Sequence, residues 1–300
     1  MVASIKEMKW AITGGSGQLG KSIAEKLIDL QIPYVSWSHS ELDISQENSL
    51  AIIEAKSPDI LVNCAAWTHV DGAESNEEAA NKANRDGARN MAIAAKSLGI
   101  PFVHISTDYV FSGSGSRPWK IDDETHPTSK YGLSKLLGEY EILSIYPSKS
   151  YILRTAWLYG PYGKNFAKTI LKKAITGREV IEVVNDQIGQ PTSTIDLADQ
   201  IFRLVEAKPS PGIYHATNSG KCSWWDFAKE LVSLAGELES RIIPITTEEF
   251  ITPVKRPAYS VLDHSKWNNV GMAQMRDWRE SLGEVFPRLM SSVKEEINRG

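Results

Sequence analysis

The sequence predicts an α/β fold: a doubly wound, Rossmann-like parallel sheet followed by a smaller, mixed α/β C-terminal lobe. Three observations carry that expectation. Short β-branched runs alternate with longer stretches of helical periodicity through the first half, the rhythm of βαβ units. A glycine-rich turn joins the first strand to the first helix, where such sheets receive phosphates. After about residue 155 the pattern loosens into shorter strands with more Pro and Gly. A dinucleotide-binding part over 1–155 and a mainly substrate-binding lobe over 156–300, with some segments returning to the first part, follow from this.

Element by element, the first strand is Lys9 to Thr13, and Leu19, Ile23, Leu27 and Leu30 then recur at helical spacing. Pro33 to Trp37 forms the second strand, Leu50 and Ile53 mark a short helix, and Asp59 to Cys64 forms the third strand. Ala83, Ala88, Met91, Ala94 and Leu98 line one helix face, with Ser75 and Glu78 spaced as a capping box ahead of them. Pro101 to Ser106 is the fourth strand, a helix follows Pro127, and Tyr151 to Arg154 is the fifth strand. Beyond it come strands at Glu179 to Val184 and Gly212 to His215, and helices near Asn165 to Ala174 and Ser223 to Leu234. The second of these helices opens on a Ser223/Asp226 capping box. The Gly/Ser-rich loop Phe111 to Pro118, directly behind the fourth strand, reads as mobile.

Composition bounds the function. With 300 residues and 42% apolar content the chain can bury a large core, which rules out disorder. The 33 Lys+Arg against 37 Asp+Glu include no basic block suited to a phosphate backbone, so no nucleic-acid partner is expected. Cys64 and Cys222 are too few for a disulfide framework or a four-cysteine metal site. No run approaches the roughly 18 apolar residues of a membrane span, and Lys6, Glu7 and Lys9 interrupt the first ten residues, so a cytoplasmic location is expected. His39, His69, His126, His215 and His264 show no metal-ligand spacing. The alternation His104, Ser106, Asp108 lacks the G-x-S-x-G elbow of a hydrolase.

The turn after the first strand satisfies two motifs at once. Gly14, Gly17 and Gly20 are spaced as in a dinucleotide fingerprint, allowing a tight turn and close approach of a pyrophosphate to a helix N-terminus. Gly15 to Ser22 also reads as a Walker A loop, with Lys21 for phosphates and Ser22 for magnesium. A magnesium-holding Asp is missing from the third strand, which ends in Asn63 and Cys64, while the fourth leads to Asp108.

Tyr131 is the only one of ten tyrosines with a Lys four positions on, at Lys135, one helical turn along the same face. An ammonium there lowers a phenol's pKa toward working pH and makes it a proton donor. A hydroxyl at the end of the fourth strand, Thr107 or Ser106, is placed to bind the oxygen that Tyr131 protonates. Beside a nicotinamide, such a set reads as ketone reduction or alcohol oxidation.

On these residues the chain resembles the extended short-chain dehydrogenase/reductases, and among them the dTDP-4-dehydrorhamnose reductases, over nearly its whole length. The marks are Gly14 to Gly20; Asn63 to Asp71 with Glu74; Ser106 to Phe111; Tyr131 to Lys135; Arg154 to Gly160; Asn165-Phe166; Asp186 to Thr192; and Arg256-Pro257. The resemblance implies NADPH-dependent reduction, with tolerance of NADH, of the 4-keto group of dTDP-4-dehydro-6-deoxy-L-mannose to dTDP-L-rhamnose. It implies Thr107, Tyr131 and Lys135 as the catalytic trio. The cofactor then contacts Gly14, Ser16, Gly17, Gln18, Leu19, Gly20, Ser38, Asp43, Ile44, Cys64, Ala65 and Ala66, besides Tyr131 and Lys135. Val70, Asp71, Asp108, Tyr109 and Trp157 fall where the family contacts the sugar, and Arg256 and Asn165 are candidates for the diphosphate.

Two places depart from the family. Ser22 stands where some members carry an acid that binds a magnesium ion between subunits, so no metal is expected and the chain reads as a monomer or homodimer without a metal bridge. The second strand ends Ser36-Trp37-Ser38-His39-Ser40, with no carboxylate for a ribose diol and hydroxyls that can take a 2′-phosphate. The other readings are a non-catalytic, NADP-binding regulatory subunit of another enzyme and a P-loop NTPase.

Overall fold

The computed structural model describes residues 5–299. In chain order its first elements are β1 (Trp10–Thr13), α1 (Gln18–Asp29), β2 (Tyr34–Trp37), α2 (Ser49–Glu54), β3 (Ile60–Asn63), α3 (Val70–Ser75), α4 (Glu77–Asn81), α5 (Gly87–Leu98), β4 (Phe102–Thr107), α6 (Lys130–Ile145) and β5 (Ser150–Thr155). Then come β6 (Leu158–Tyr159), α7 (Phe166–Thr176), β7 (Ile181–Val184), β8 (Ile188–Gly189), β9 (Thr192–Ser193), α8 (Thr194–Ala207) and β10 (Gly212–His215). The last are β11 (Cys222–Ser223), α9 (Trp224–Leu234), β12 (Ile242–Ile245), α10 (Ser265–Asn269) and α11 (Trp278–Arg299).

β1, β3, β4 and β5 are apolar runs because helices cover both faces, as a parallel sheet requires. The sheet runs β10-β5-β4-β3-β1-β2, all parallel. Chain order reverses at β1, and the crevice beyond the carboxyl ends of β1 and β3 is where ligands sit in such sheets. On one face Trp10, Ile12, Ile23, Leu27, Ile201, Tyr214 and Trp267 form a continuous core, and on the other Ile53, Met91, Ala95, Ile142 and Ile152 do. A separate core of Leu171, Phe227, Leu231, Trp278, Leu282 and Leu289 holds α7, α9 and α11 together.

Several details depart from the sequence pattern. β10 joins β5 at the sheet edge, Gly212 opposite Tyr151, and α8 supplies core residues beneath α1, so these late segments complete the first layer. β7 pairs in parallel with β12, a strand hidden by Pro244 within it. The Ala83–Leu98 helix arrives as α4, a π-helical turn at Lys82–Asp86, and α5. Ser75 caps nothing: its hydroxyl donates back to Gly72 O at 3.3 Å and Asn76 separates α3 from α4. The Ser223/Asp226 capping box is present, with Asp226 N–H donating to Ser223 Oγ at 3.0 Å and Ser223 N–H to Asp226 Oδ2 at 2.9 Å. The loop Phe111 to Pro118 is tied down: Phe111 is buried and stacks on Trp119 at 4.9 Å, and Tyr259 N–H donates to Gly113 O at 2.9 Å. Aromatic anchoring overrides the glycine content there. Among the described residues no helix is long and apolar enough to cross a membrane.

Candidate active site

The turn after β1 is shaped by two glycines. Gly14 has φ +69°, and a Cβ on it would lie 2.6 Å from Ala65 N; a Cβ on Gly20 would lie 2.7 Å from Gly15 Cα. The backbone thereby comes close to the end of β3, and α1 starts at Gly17 with no side-chain cap, leaving its first N–H groups and its dipole for an anion. A cleft of about 820 Å³ opens from this turn, lined by Gly14, Ser16 to Gly20, Asp43, Ile44, Cys64, Ala65, Ala66, Val70, Thr107, Asp108, Tyr109, Tyr131, Lys135, Trp157 and Asn165. The structure thus gathers nearly every sequence-predicted site residue into one cavity. Its size and glycine cradle fit an extended dinucleotide.

The Walker A alternative fails on the same turn. Ser22 is buried, with its hydroxyl donating to Thr194 Oγ1 at 2.8 Å, and Lys21 lies outside the cleft with its ammonium over the Tyr162 ring at 5.7 Å. Neither is free to hold a phosphate or magnesium in the cavity. Among the described residues no group of three His, Cys, Asp or Glu is arranged to hold a metal.

At the far end of the cleft, Ser129 caps α6 by accepting from Gly132 N–H at 3.1 Å, which presents Tyr131 in its first turn. Tyr131 meets Tyr109 edge-on, ring centroids 5.5 Å apart. Burial pushes the Tyr131 phenol above its ordinary range, and the Thr107 hydroxyl pulls it only partway back. This reverses the expected lowering by Lys135. Desolvation is the reason, and the lysine does not offset it: its Nζ donates to Ile105 O at 2.6 Å, and burial lowers its own pKa to about 8. The phenol is therefore held protonated, the form that carbonyl reduction consumes.

Of the two hydroxyls at the end of β4, Ser106 is engaged, donating to Glu139 Oε1 at 2.5 Å beside the buried Arg154–Glu139 ion pair, whose closest contact is 2.7 Å. Thr107 is the one that serves the cleft: it donates to Asp108 Oδ1 at 3.0 Å and accepts from Tyr109 N–H at 3.2 Å. Asp108 is buried, and desolvation lifts its pKa to about 7 against the opposing pull of the Thr107 and Ser260 hydroxyls. Trp157 stacks on Trp224 at 3.6 Å and holds φ at +49°, a conformation a bulky residue adopts at a cost of order 1–3 kcal/mol.

Four predicted contacts are placed differently. Arg256 and Asp71 do not line the cavity; Arg256 donates to Asp71 Oδ2 at 2.6 Å, tying the segment before α10 to α3. Asn165 lines the cleft, but its amide caps α7 through Lys168 N–H at 3.0 Å and donates to Gln18 Oε1 at 3.0 Å, holding the glycine turn. Ser38 turns away into its own loop, donating to Glu41 Oε2 at 2.7 Å, and Ser36 lies against Gly15. A carboxylate, Glu41, thus stands beside the hydroxyls expected to take a phosphate, four residues beyond the end of β2. His39 lines the cavity instead. Trp67, Thr68, Ala83 and Lys164 also line it, although none was named as a site residue from the sequence.

This geometry has close relatives. The sequence matches the family described as RmlD substrate binding domain over residues 8–291. A dTDP-4-dehydrorhamnose reductase of Streptomyces griseus is 41% identical over 287 residues, covering 94% of both chains. The chain belongs to this reductase family. A probable dTDP-4,6-dihydroxy-2-methyloxan-3-one 4-ketoreductase of Streptomyces antibioticus is 40% identical across 98% of this chain and 99% of that one. Among solved structures, the dTDP-4-dehydrorhamnose reductase of Bacillus anthracis in complex with NADP superimposes with a TM-score of 0.89 at 38% identity, over 93% of this chain and 99% of that one. The glycine cradle, uncapped α1 and elongated cleft described above fit a dinucleotide such as the NADP held by that relative.

Proposed function

We propose that this chain reduces the 4-keto group of dTDP-4-dehydro-6-deoxy-L-mannose, giving dTDP-L-rhamnose, with NADPH as the reductant. The observation that supports this most directly is that Tyr131, held protonated, faces the same cavity as the Gly14–Gly20 turn. When bound, the cofactor supplies hydride. The chain's own residues do the rest: Gly14, Ser16 to Gly20, Ile44 and Cys64 to Ala66 hold the dinucleotide, Thr107 orients the carbonyl oxygen, and Tyr131 gives it a proton. Lys135 fixes the ribose next to the nicotinamide. Val70, Asp108, Tyr109 and Trp157 form the sugar end, the indole stacked on Trp224 giving a flat wall for a pyranose face. Ser22, closed off inside the fold, supports a monomer or a homodimer with no metal bridge.

The experiment is NADPH consumption by the purified chain with the dTDP keto sugar, set beside its UDP and GDP counterparts. Oxidation with the dTDP sugar, lost in Tyr131→Phe while NADPH binding persists, is the expected result. Full activity in Tyr131→Phe refutes the proton-donor role. Absence of turnover together with a stable complex with another enzyme points to the regulatory-subunit reading.

A further inference from the structure

Beneath the floor of the cleft a line of buried polar side chains runs from β1 to the helix that carries Tyr131, and the reaction as described leaves most of it unused. Thr13 Oγ1 donates to Asn63 Oδ1 at 2.6 Å, and the same oxygen accepts from Ala65 N–H at 3.1 Å. Asn63 Nδ2 lies 3.0 Å from His104 Nδ1, and His104 Nε2 lies 3.2 Å from Lys135 Nζ. Thr13, Asn63, His104 and Lys135 are each at most 2% exposed.

The donors and acceptors along this line have one consistent order. Ala65 N–H can only donate, so the Asn63 atom facing it is the oxygen, and the amide nitrogen faces His104. An amide nitrogen also only donates, so His104 Nδ1 must accept. A neutral imidazole that accepts at Nδ1 carries its proton on Nε2. Burial, with the Lys135 charge adding to it, keeps this ring neutral by lowering its pKa far below the usual histidine range. The Nε2–H therefore points at Lys135 Nζ. A neutral amine has a lone pair to accept it, whereas an ammonium has only donors and meets a dipole of the wrong sign.

We propose that His104 is a positioning residue for Lys135: locked by Asn63 as the Nε2–H tautomer, it turns an N–H toward the lysine nitrogen and so favours the neutral amine over the ammonium. The role rests on Lys135 acting beside Tyr131 in the reduction proposed above. The other groups facing Lys135 are few. Glu139, one turn further along α6, favours the ammonium, but its carboxylate is already shared with Arg154 and Ser106. Cys64 faces it from the end of β3 with a thiol that burial pushes up to about 12, hence uncharged. From β4 it meets only the Ile105 carbonyl and His104. Burial brings Lys135 down to about 8, against the opposing pull of Glu139. The same line ends at Ala65, against which Gly14 packs, so the lysine's proton is referred to the turn that receives the cofactor.

The test uses the full chain without cofactor or substrate, labelled with 15N in histidine and 13C in lysine. Long-range 1H–15N spectra separate the two neutral tautomers and the imidazolium, and His104→Gln assigns the His104 signals by their loss. The expected result is the Nε2–H tautomer, with no titration around pH 6.5, the free histidine value. An Nδ1–H tautomer, or an imidazolium forming in that range, overturns the proposal. In the second measurement the Lys135 Cε titration midpoint, near 8 in the parent, rises by about one pH unit or more in His104→Gln, whose amide oxygen can accept from the ammonium. Asn63→Leu, which removes the amide donor to Nδ1 without adding a charge and so frees the tautomer, is expected to move it the same way. An unmoved midpoint in a folded variant overturns the proposal, since a merely structural role lowers stability without shifting it. If neither variant folds, the parent's tautomer still decides. Neither readout involves turnover, so a failed reductase assay and a failed tautomer assignment are separate results.

Discussion

Asp108 offers the sharpest test of the site's electrostatics. Its carboxyl is 3% exposed, and burial raises its pKa from 3.8 to about 7 despite the Thr107 and Ser260 hydroxyls. Ionising it inside the fold is therefore harder than ionising it in the unfolded chain. Because the folded pKa is the higher one, the stability linked to Asp108 is fully present below about pH 4 and is lost as pH rises through about 7. The rise from 3.8 to about 7 corresponds to about 4 kcal/mol at most, taking ~1.4 kcal/mol per pH unit. Asp108→Asn keeps the Oδ1 acceptor for Thr107 and removes the charge. Urea unfolding of parent and variant across pH 4 to 9 then isolates this residue, because all other groups titrate alike in both. The difference in unfolding free energy is expected to grow in favour of the variant from about pH 4, levelling off above 7 at roughly 2–4 kcal/mol. A difference that does not change with pH refutes the account of Asp108 as a carboxyl kept from ionising by burial.

Three further outcomes follow from the geometry. Arg154→Met leaves Glu139 buried at 1% exposure without its cation, and should cost about 3–5 kcal/mol in chemical denaturation; a loss under 1 kcal/mol would show the pair to be dispensable. Gly14→Ala forces a side chain into a φ of +69° and against the Ala65 backbone, and should weaken NADPH binding by an order of magnitude or more in fluorescence titration while the fold persists; unchanged affinity argues against the cradle. Lys21→Ala, altering a side chain that lies outside the cleft, should keep the parent's NADPH affinity, and neither protein should hydrolyse ATP. ATPase activity lost with Lys21 would restore the P-loop reading.

Local chemistry in the sequence already determined the strand, glycine turn and helix, the four-residue spacing of Tyr131 and Lys135, and the run of β-strands through Tyr151 to Arg154. Each is a short-range pattern whose meaning depends on periodicity or on a single backbone requirement. Even the Ser223 capping box, complete within four residues, was legible for that reason. What neighbours distant in the chain decide was not. The Walker A match dissolved only when Ser22 met Thr194, 172 positions away, and Ser38 lost its phosphate role because its loop folds back onto Glu41. Arg256 found Asp71 across 185 residues, and β12 completed β7 in spite of its proline. The phenol's pKa changed sign because burial, a property of the packed state alone, outweighs a lysine whose Nζ the fold turns toward the Ile105 carbonyl. Spacing sets which side chains share a helix face; desolvation and hydrogen-bond direction, which exist only once remote segments close over them, set what those side chains do.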